Sequence, residues 1–227
     1  MKILIVTATI AEIQPLFNAL KIAVNKIDRI YKTDYAGHTL TILITGVGMV
    51  ATAYHLGETN RVDFDMALNT GIAGSFSNEY AIGETVNVTS DCFAELGADY
   101  GEKFVPLSQM DFAKDTFEFI SDKNGELVNN TTANNTVISE LKKVKGITVN
   151  TVNGEEMRIE KMKKLFSPDI ESMEGAAFLF ACQKKKLPCF QFRSISNYIE
   201  PRNLNNWNIP FAIANVNRKL LEIIKFF

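Results

Sequence analysis

Residues Lys2 to Ala8 read KILIVTA, and residues Thr39 to Thr45 read TLTILIT. Each is an apolar run rich in β-branched residues, the pattern of a strand covered on both faces. Helical spacing follows each of them. Ile13, Leu16, Phe17 and Leu20 mark a helix over Ala11 to Leu20, and a second helix over Met49 to Thr59 follows Gly46-Val47-Gly48. Working outward, Asp65 to Asn69 and Thr85 to Thr89 read as further strands, the former ending in Thr70-Gly71-Ile72-Ala73-Gly74. Val137, Ile138, Leu141 and Val144 give one face of a helix, Ile147 to Val152 a strand, and Glu155 to Phe166 a helix. Pro168-Asp169 introduces the strongest helical pattern, with Met173, Ala176, Ala177, Phe180 and Ala181 on one face and Lys184 to Lys186 at its end. Cys189 to Ser196 is a last strand and Pro210 to Lys225 an amphipathic helix. This alternation predicts an α/β fold: three layers, α/β/α, around a central mixed, mostly parallel sheet, in one domain over residues 1–227.

Hydrophobic residues make up 46% of the 227 residues and charged residues 22%, an ordinary globular composition. The net charge is −2 and no basic stripe occurs, so neither nucleic acid nor a membrane is expected as a partner. Cys92, Cys182, Cys189, His38 and His55 form no CxxC or HxxxH, so no metal and no cofactor are expected. Met1 to Ala8 is too short for a signal sequence, and no apolar run reaches the ~20 residues that span a bilayer. A cytoplasmic protein with reduced thiols is expected. The tract NNTTANN at Asn129 to Asn135 reads as a surface loop.

In open α/β sheets ligands sit beyond the carboxyl ends of the strands. That places Thr7 to Glu12, Gly46 to Gly48, Gly71 to Gly74 and Ser194 to Asn197 as candidates. Neither glycine cluster is a Walker loop or a GxGxxG fingerprint, and each alone marks a turn more often than a ligand site. Glu12 at a helix start is first of all an acid favoured by the helix dipole. Glu174 borders the apolar stripe of its helix and so needs a partner: a sugar hydroxyl, a backbone group or Arg193.

Three motifs carry a resemblance that covers nearly the whole chain: NTGIAGSF at Asn69 to Phe76, ESMEGAAF at Glu171 to Phe178, and RSISN at Arg193 to Asn197. The chain resembles the nucleoside phosphorylase and nucleosidase family, which includes methylthioadenosine/S-adenosylhomocysteine nucleosidases and purine nucleoside phosphorylases. Within it, FAELGADYGEKF at Phe93 to Phe104 and SISNYIEPRN leading into NNWNIPFAI are most similar to the futalosine hydrolases. The resemblance implies cleavage of a purine nucleoside through an oxocarbenium-like ribosyl cation, within menaquinone biosynthesis. It implies Glu12 as the group that deprotonates water, helped by Arg193. Glu174 would bind ribose hydroxyls, with Met173 against the sugar and Ala73 and Gly74 along the substrate. Asn197, oriented by Ser196, would contact N7 of the leaving base.

The aminopurine nucleosidases carry aspartate where Asn197 stands. An asparagine cannot protonate a base, but its amide can donate to N7 or to a 6-oxo group, which suits the hypoxanthine of futalosine. Ile72 also departs from the serine of the methylthioadenosine enzymes. A phosphorylase needs a cationic phosphate cradle, and Thr7-Ala8-Thr9-Ile10-Ala11 has no positive charge, so water is the expected nucleophile. The aryl carboxylate of futalosine calls for a cation, with Arg158 and Arg202 as candidates. A methylthioadenosine nucleosidase, a phosphorylase and a non-catalytic nucleoside-binding protein are the competing readings. The resemblance also implies a homo-oligomer, a dimer or larger.

Overall fold

A computed structural model describes residues 1–25, 27–59, 63–101, 103–111, 125–201 and 203–227, apart from the side chain at position 204. The strands are β1 (Lys2–Thr7), β2 (Ile30–Tyr35), β3 (His38–Ile44), β4 (Met66–Ser75), β5 (Thr85–Cys92), β6 (Gly97–Asp99), β7 (Phe104–Pro106), β8 (Glu126–Val128), β9 (Lys143–Thr148), β10 (Ile170–Ser172) and β11 (Cys189–Tyr198). The helices are α1 (Ile10–Ala19), α2 (Met49–Glu58), α3 (Thr136–Ser139), α4 (Glu156–Phe166), α5 (Gly175–Lys185) and α6 (Ile209–Lys225).

The β1 run explains the layering. Ile3 and Ile5 pack into one cluster with Ile13, Leu16 and Phe17 of α1 and Val216, Leu220, Ile223 and Ile224 of α6. Leu4 and Val6, pointing the other way, pack with Leu56 of α2 and Ala176, Phe178, Leu179 and Cys182 of α5. A strand with helices on both faces has no polar side to show, hence its unbroken apolar sequence. The expected α/β architecture with a mixed central sheet is therefore present.

The sheet runs β10-β9-β5-β11-β4-β1-β3-β2, with β8 also paired to β5. Parallel pairing joins β3, β1, β4 and β11, so their carboxyl ends share one edge. β1 follows β4 only as far as Val6 opposite Asn69. Farther along, Gly74 and Ser75 of β4 pair antiparallel with Glu171 and Ile170 of β10. One end of the sheet thus closes on itself through β4, β11, β5, β9 and β10, and β4 parts from β1. That parting makes the space for a site.

Several expectations need correction. β4 spans ten residues, so Gly71 to Gly74 lie within a strand and not in a loop beyond it. The helix expected through Val144 is only the turn Thr136–Ser139; Val144 is a buried residue of β9, which ends at Thr148 and not Val152. Pro168-Asp169 precedes the short strand β10, and α5 begins only at Gly175, leaving Met173 and Glu174 outside it. The apolar period ran on because β10 and α5 bury the same kinds of residue. Among the described residues no helix is long and apolar enough to cross a membrane.

Candidate active site

A cavity of about 290 Å³ opens where β4 leaves β1, at the carboxyl ends of β1, β4, β10 and β11. Glu12, Met173, Glu174, Ala73, Gly74, Ser196 and Asn197 all line it. The cavity wall is otherwise largely apolar, with Val47, Val152, Trp207 and Ile213 among its residues.

Glu12 stands in the first turn of α1. Thr9 and Glu12 form a reciprocal capping box: Glu12 N donates to Thr9 Oγ1 at 3.2 Å, and Thr9 N donates to Glu12 Oε2 at 3.0 Å. The Thr9 hydroxyl donates to the same Oε2 at 3.1 Å. The plain structural role of a helix-start acid is therefore filled, but by one oxygen only. A β-carbon at Gly71 would lie 3.2 Å from Glu12 Oε1 and 2.7 Å from Arg193 Nη1. Only a residue without a side chain lets these two groups approach the strand there. Burial raises the Glu12 pKa first, and repulsion from Glu174 raises it further, against the pull of Arg193 and the Thr9 hydrogen bonds.

A second support reaches Glu12 from α6. Pro15 interrupts the α1 ladder, since it has no N–H to give. The buried Asn217 inserts beside it, accepting from Leu16 N at 3.3 Å and donating to Glu12 O at 2.7 Å. Its amide also donates to Ile213 O at 2.8 Å, so one side chain ties Glu12 to a second cavity-lining residue, on α6.

Glu174 is the N-cap residue of α5, yet it makes no side-chain cap to its own helix. Its Oε1 instead accepts from the backbone N–H of Gly48 at 3.0 Å, the N-cap of α2. A backbone partner is thus the one the fold supplies, and it places the buried carboxylate at the positive end of α2. The Glu174 side chain makes no other hydrogen bond among the described residues, so Oε2 has no partner among them.

Asn197 follows a register shift in β11: Ile195 pairs with Ala73, and Asn197 pairs with the next residue, Gly74. Ser196 is the extra residue of this bulge, which re-aims the side chain after it. Ser196 Oγ lies 2.8 Å from Asn197 Oδ1 and 3.1 Å from Ala73 O. Asn197 Nδ2 donates to Tyr198 O at 3.1 Å. That carbonyl requires the NH2 on its side, which turns Oδ1 toward the Ser196 hydroxyl and leaves one N–H of the amide uncommitted.

Arg193 is wholly buried, and its Nη2 donates to Asn69 Oδ1 at 2.5 Å. Asn69 is braced in turn by donating to Val6 O at 3.0 Å. Arg193 stands behind the cavity wall, next to Gly71 and Glu12. Arg158 is elsewhere: it pairs with Glu95 and lines a separate cleft with Lys161 and Asp99. Arg202 lies outside the described residues.

Several lining residues escaped the sequence reading, Trp207, Val152 and Glu171 among them. Trp207, the single tryptophan, sits in an asparagine-rich stretch without periodicity. Val152 belongs to a loop with no repeating pattern to read. Glu171 was recognisable only as part of a motif; its buried carboxylate accepts from Asn153 N at 2.9 Å and from Asn153 Nδ2, and burial raises its pKa.

Residues 2–225 match the family model described as the phosphorylase superfamily. The chain is 29% identical to an aminodeoxyfutalosine nucleosidase of Campylobacter jejuni, over 87% of this chain and 86% of that one. It is 25% identical to a futalosine hydrolase of Thermus thermophilus, over 83% of this chain and 82% of that one. Among solved structures, a 5'-methylthioadenosine/S-adenosylhomocysteine nucleosidase of S. pneumoniae superposes with a TM-score of 0.76 at 19% identity, over 100% of this chain and 99% of that one.

Proposed function

The chain belongs to the phosphorylase superfamily, and from that premise we propose that it hydrolyses the N-glycosidic bond of a purine nucleoside, with futalosine as substrate and hypoxanthine as the released base. The observation that carries this reading is the meeting of Glu12, Glu174 and Asn197 on one largely apolar cavity.

Loss of a purine leaves positive charge on the ribose and negative charge on the base. Two carboxylates suit the first. A carboxylate about 4 Å from a full positive charge is worth about 4 kcal/mol at an effective dielectric constant of 20, or about three orders of magnitude in rate. Glu174 Oε2 takes the ribose hydroxyls, while Oε1 stays on Gly48 N. Met173 packs on the sugar, and Ala73 and Gly74 line its path to the base. Glu12 Oε1 accepts the proton of the attacking water, and Arg193 acts on that carboxylate from behind the wall, by its charge. A base with a raised pKa takes that proton more readily than an ordinary carboxylate.

The uncommitted N–H of Asn197 donates to the base at N7 or O6. Hypoxanthine offers acceptors at both, whereas adenine presents a donor at its 6-position. The similarity to an aminodeoxyfutalosine nucleosidase favours a 6-amino substrate as the second reading, and Asn197 favours the 6-oxo one.

Water is the nucleophile because no lysine or arginine is among the described residues lining the cavity. The protein works as a homo-oligomer in this reading. Val50 and Tyr54 of α2 are 78% and 62% exposed, next to the exposed cavity residue Val47, and a second copy covers this apolar strip. Turnover in ¹⁸O-labelled water tests the reaction type. Label at C1 of the freed sugar, at a rate that phosphate does not change, supports hydrolysis; a sugar phosphate as product refutes it.

A further inference from the structure

Asp91 of β5 is 1% exposed, lies outside the cavity and has no part in the reaction described above. Its Oδ1 accepts from Thr148 Oγ1 at 2.9 Å, and its Oδ2 accepts from Gln191 Nε2 at 3.2 Å. Thr148 Oγ1 in turn accepts from Ala176 N at 2.7 Å, an amide in the first turn of α5. The helix start rests directly on this group. A β-carbon at Gly175 would lie 2.1 Å from Asp91 Oδ2 and 2.1 Å from Gln191 Oε1, so no side chain fits there.

The arrangement answers a need created by Glu174. A helix leaves its first amides without internal partners, and the N-cap side chain ordinarily meets one of them. Glu174 holds the N-cap position but is turned to Gly48. The orphaned amides are met from outside instead: Gly175 N donates to Ser172 Oγ at 3.3 Å, and Ala176 N donates to Thr148 Oγ1. A hydroxyl has one hydrogen; by giving it to Asp91, Thr148 keeps its lone pairs for Ala176 N. The carboxylate fixes that direction and sets negative charge against the positive end of α5.

We infer that Asp91 and Thr148 supply the cap that Glu174 withholds, and that Asp91 is thereby a positioning residue that holds the Glu174 carboxylate in the cavity. This rests on the reading of Glu174 as the ribose ligand. A neutral residue would serve a merely structural cap at less cost than a buried charge. Asparagine at position 91 can still accept from Thr148. Gln191 Oε1, which has no partner, can turn to accept from the new amide. Asp91→Asn therefore folds while the charge is lost.

The test uses whichever of futalosine, inosine, aminodeoxyfutalosine and methylthioadenosine the parent turns over fastest, and its 2',3'-dideoxy counterpart. Thr148→Val is expected to lose roughly tenfold in kcat/KM on the ribonucleoside and Asp91→Asn roughly threefold. Both lose less than about twofold on the dideoxy compound, which has no hydroxyls for Glu174 to hold. Thr148→Ser restores the parent rate, and the Tm of Asp91→Asn does not fall. Glu174→Gln is the control. If Glu174→Gln discriminates between the two nucleosides while Asp91→Asn and Thr148→Val do not, the Asp91 inference is overturned and the Glu174 reading stands. If Glu174→Gln loses equally on both, the ribose reading falls, and the inference with it.

Discussion

The Ser196 hydroxyl lies 2.8 Å from Asn197 Oδ1, and on the other side of the same amide Nδ2 donates to Tyr198 O at 3.1 Å. Tyr198 O, which can only accept, fixes which end of the amide is which and leaves one N–H of this cavity-lining residue uncommitted. An aspartate here would lose the donor in its ionised form and, once protonated, could give a proton to N7. Asn197→Asp is expected to shift the ratio of kcat/KM values toward 6-amino nucleosides by at least about tenfold, the effect of roughly 1.4 kcal/mol. Paired kinetics on futalosine and aminodeoxyfutalosine measure the ratio, and an unchanged ratio would remove Asn197 from the base contact.

Glu12→Gln keeps the size of the side chain and its capping contacts but removes the base. Turnover should fall by about 10²–10⁴ while KM changes little, since the lost group acts on the attacking water. In the parent, kcat/KM should decline as pH falls through the raised pKa of Glu12, because the protonated acid cannot accept from water. That limb lies above the ordinary glutamate value of about 4.3. A limb at the ordinary value, or equal effects of Glu12→Gln on kcat and KM, contradicts the role.

Asn217 bridges α1 and α6 at Pro15, holding Glu12 O and Ile213 O together. Asn217→Ala leaves Leu16 N and Glu12 O without this partner in a buried place, which should cost about 1–3 kcal/mol in stability. If the bridge also places Glu12, kcat falls at temperatures where the variant is fully folded. Thermal unfolding with kinetics at 25 °C separates the two effects. Unchanged kcat would confine Asn217 to the fold.

Burial pushes the Asp91 carboxyl up to about 6. The folded protein keeps that proton where the unfolded chain, with a pKa of about 3.9, has lost it. Stability present below about pH 4 is therefore lost as pH rises through 6, amounting to about 3 kcal/mol at pH 7.5. Asp91→Asn should raise Tm at pH 7.5 and change it little near pH 4. A variant less stable than its parent at pH 7.5 would mean that the carboxylate stabilises the fold, contrary to its expected cost.

How much of this was legible depends on what each residue does locally. The β1 and β3 runs announce themselves because both faces of these strands meet helices. Glu12 shows in the sequence as an acid at a helix start and Asn197 at the end of the strand that delivers it, while their site roles come only with the family resemblance. The strand character of Gly71 to Gly74 is hidden, since these positions are set by Arg193 and β10, far away in sequence. Val144 is hidden by the lysines around it: Lys143 and Lys145 alternate with it on β9 as readily as they would line a helix. Asp91 carries no sequence signal beyond an acid in a strand; its meaning comes from Thr148 and Gln191, on two other strands.

The central claim is tested most directly by base release from futalosine, inosine, aminodeoxyfutalosine and methylthioadenosine, each assayed with and without phosphate. Hypoxanthine release from futalosine, independent of phosphate and with the highest kcat/KM of the four, is the predicted result. Adenine release from methylthioadenosine or aminodeoxyfutalosine at equal or greater kcat/KM would contradict it.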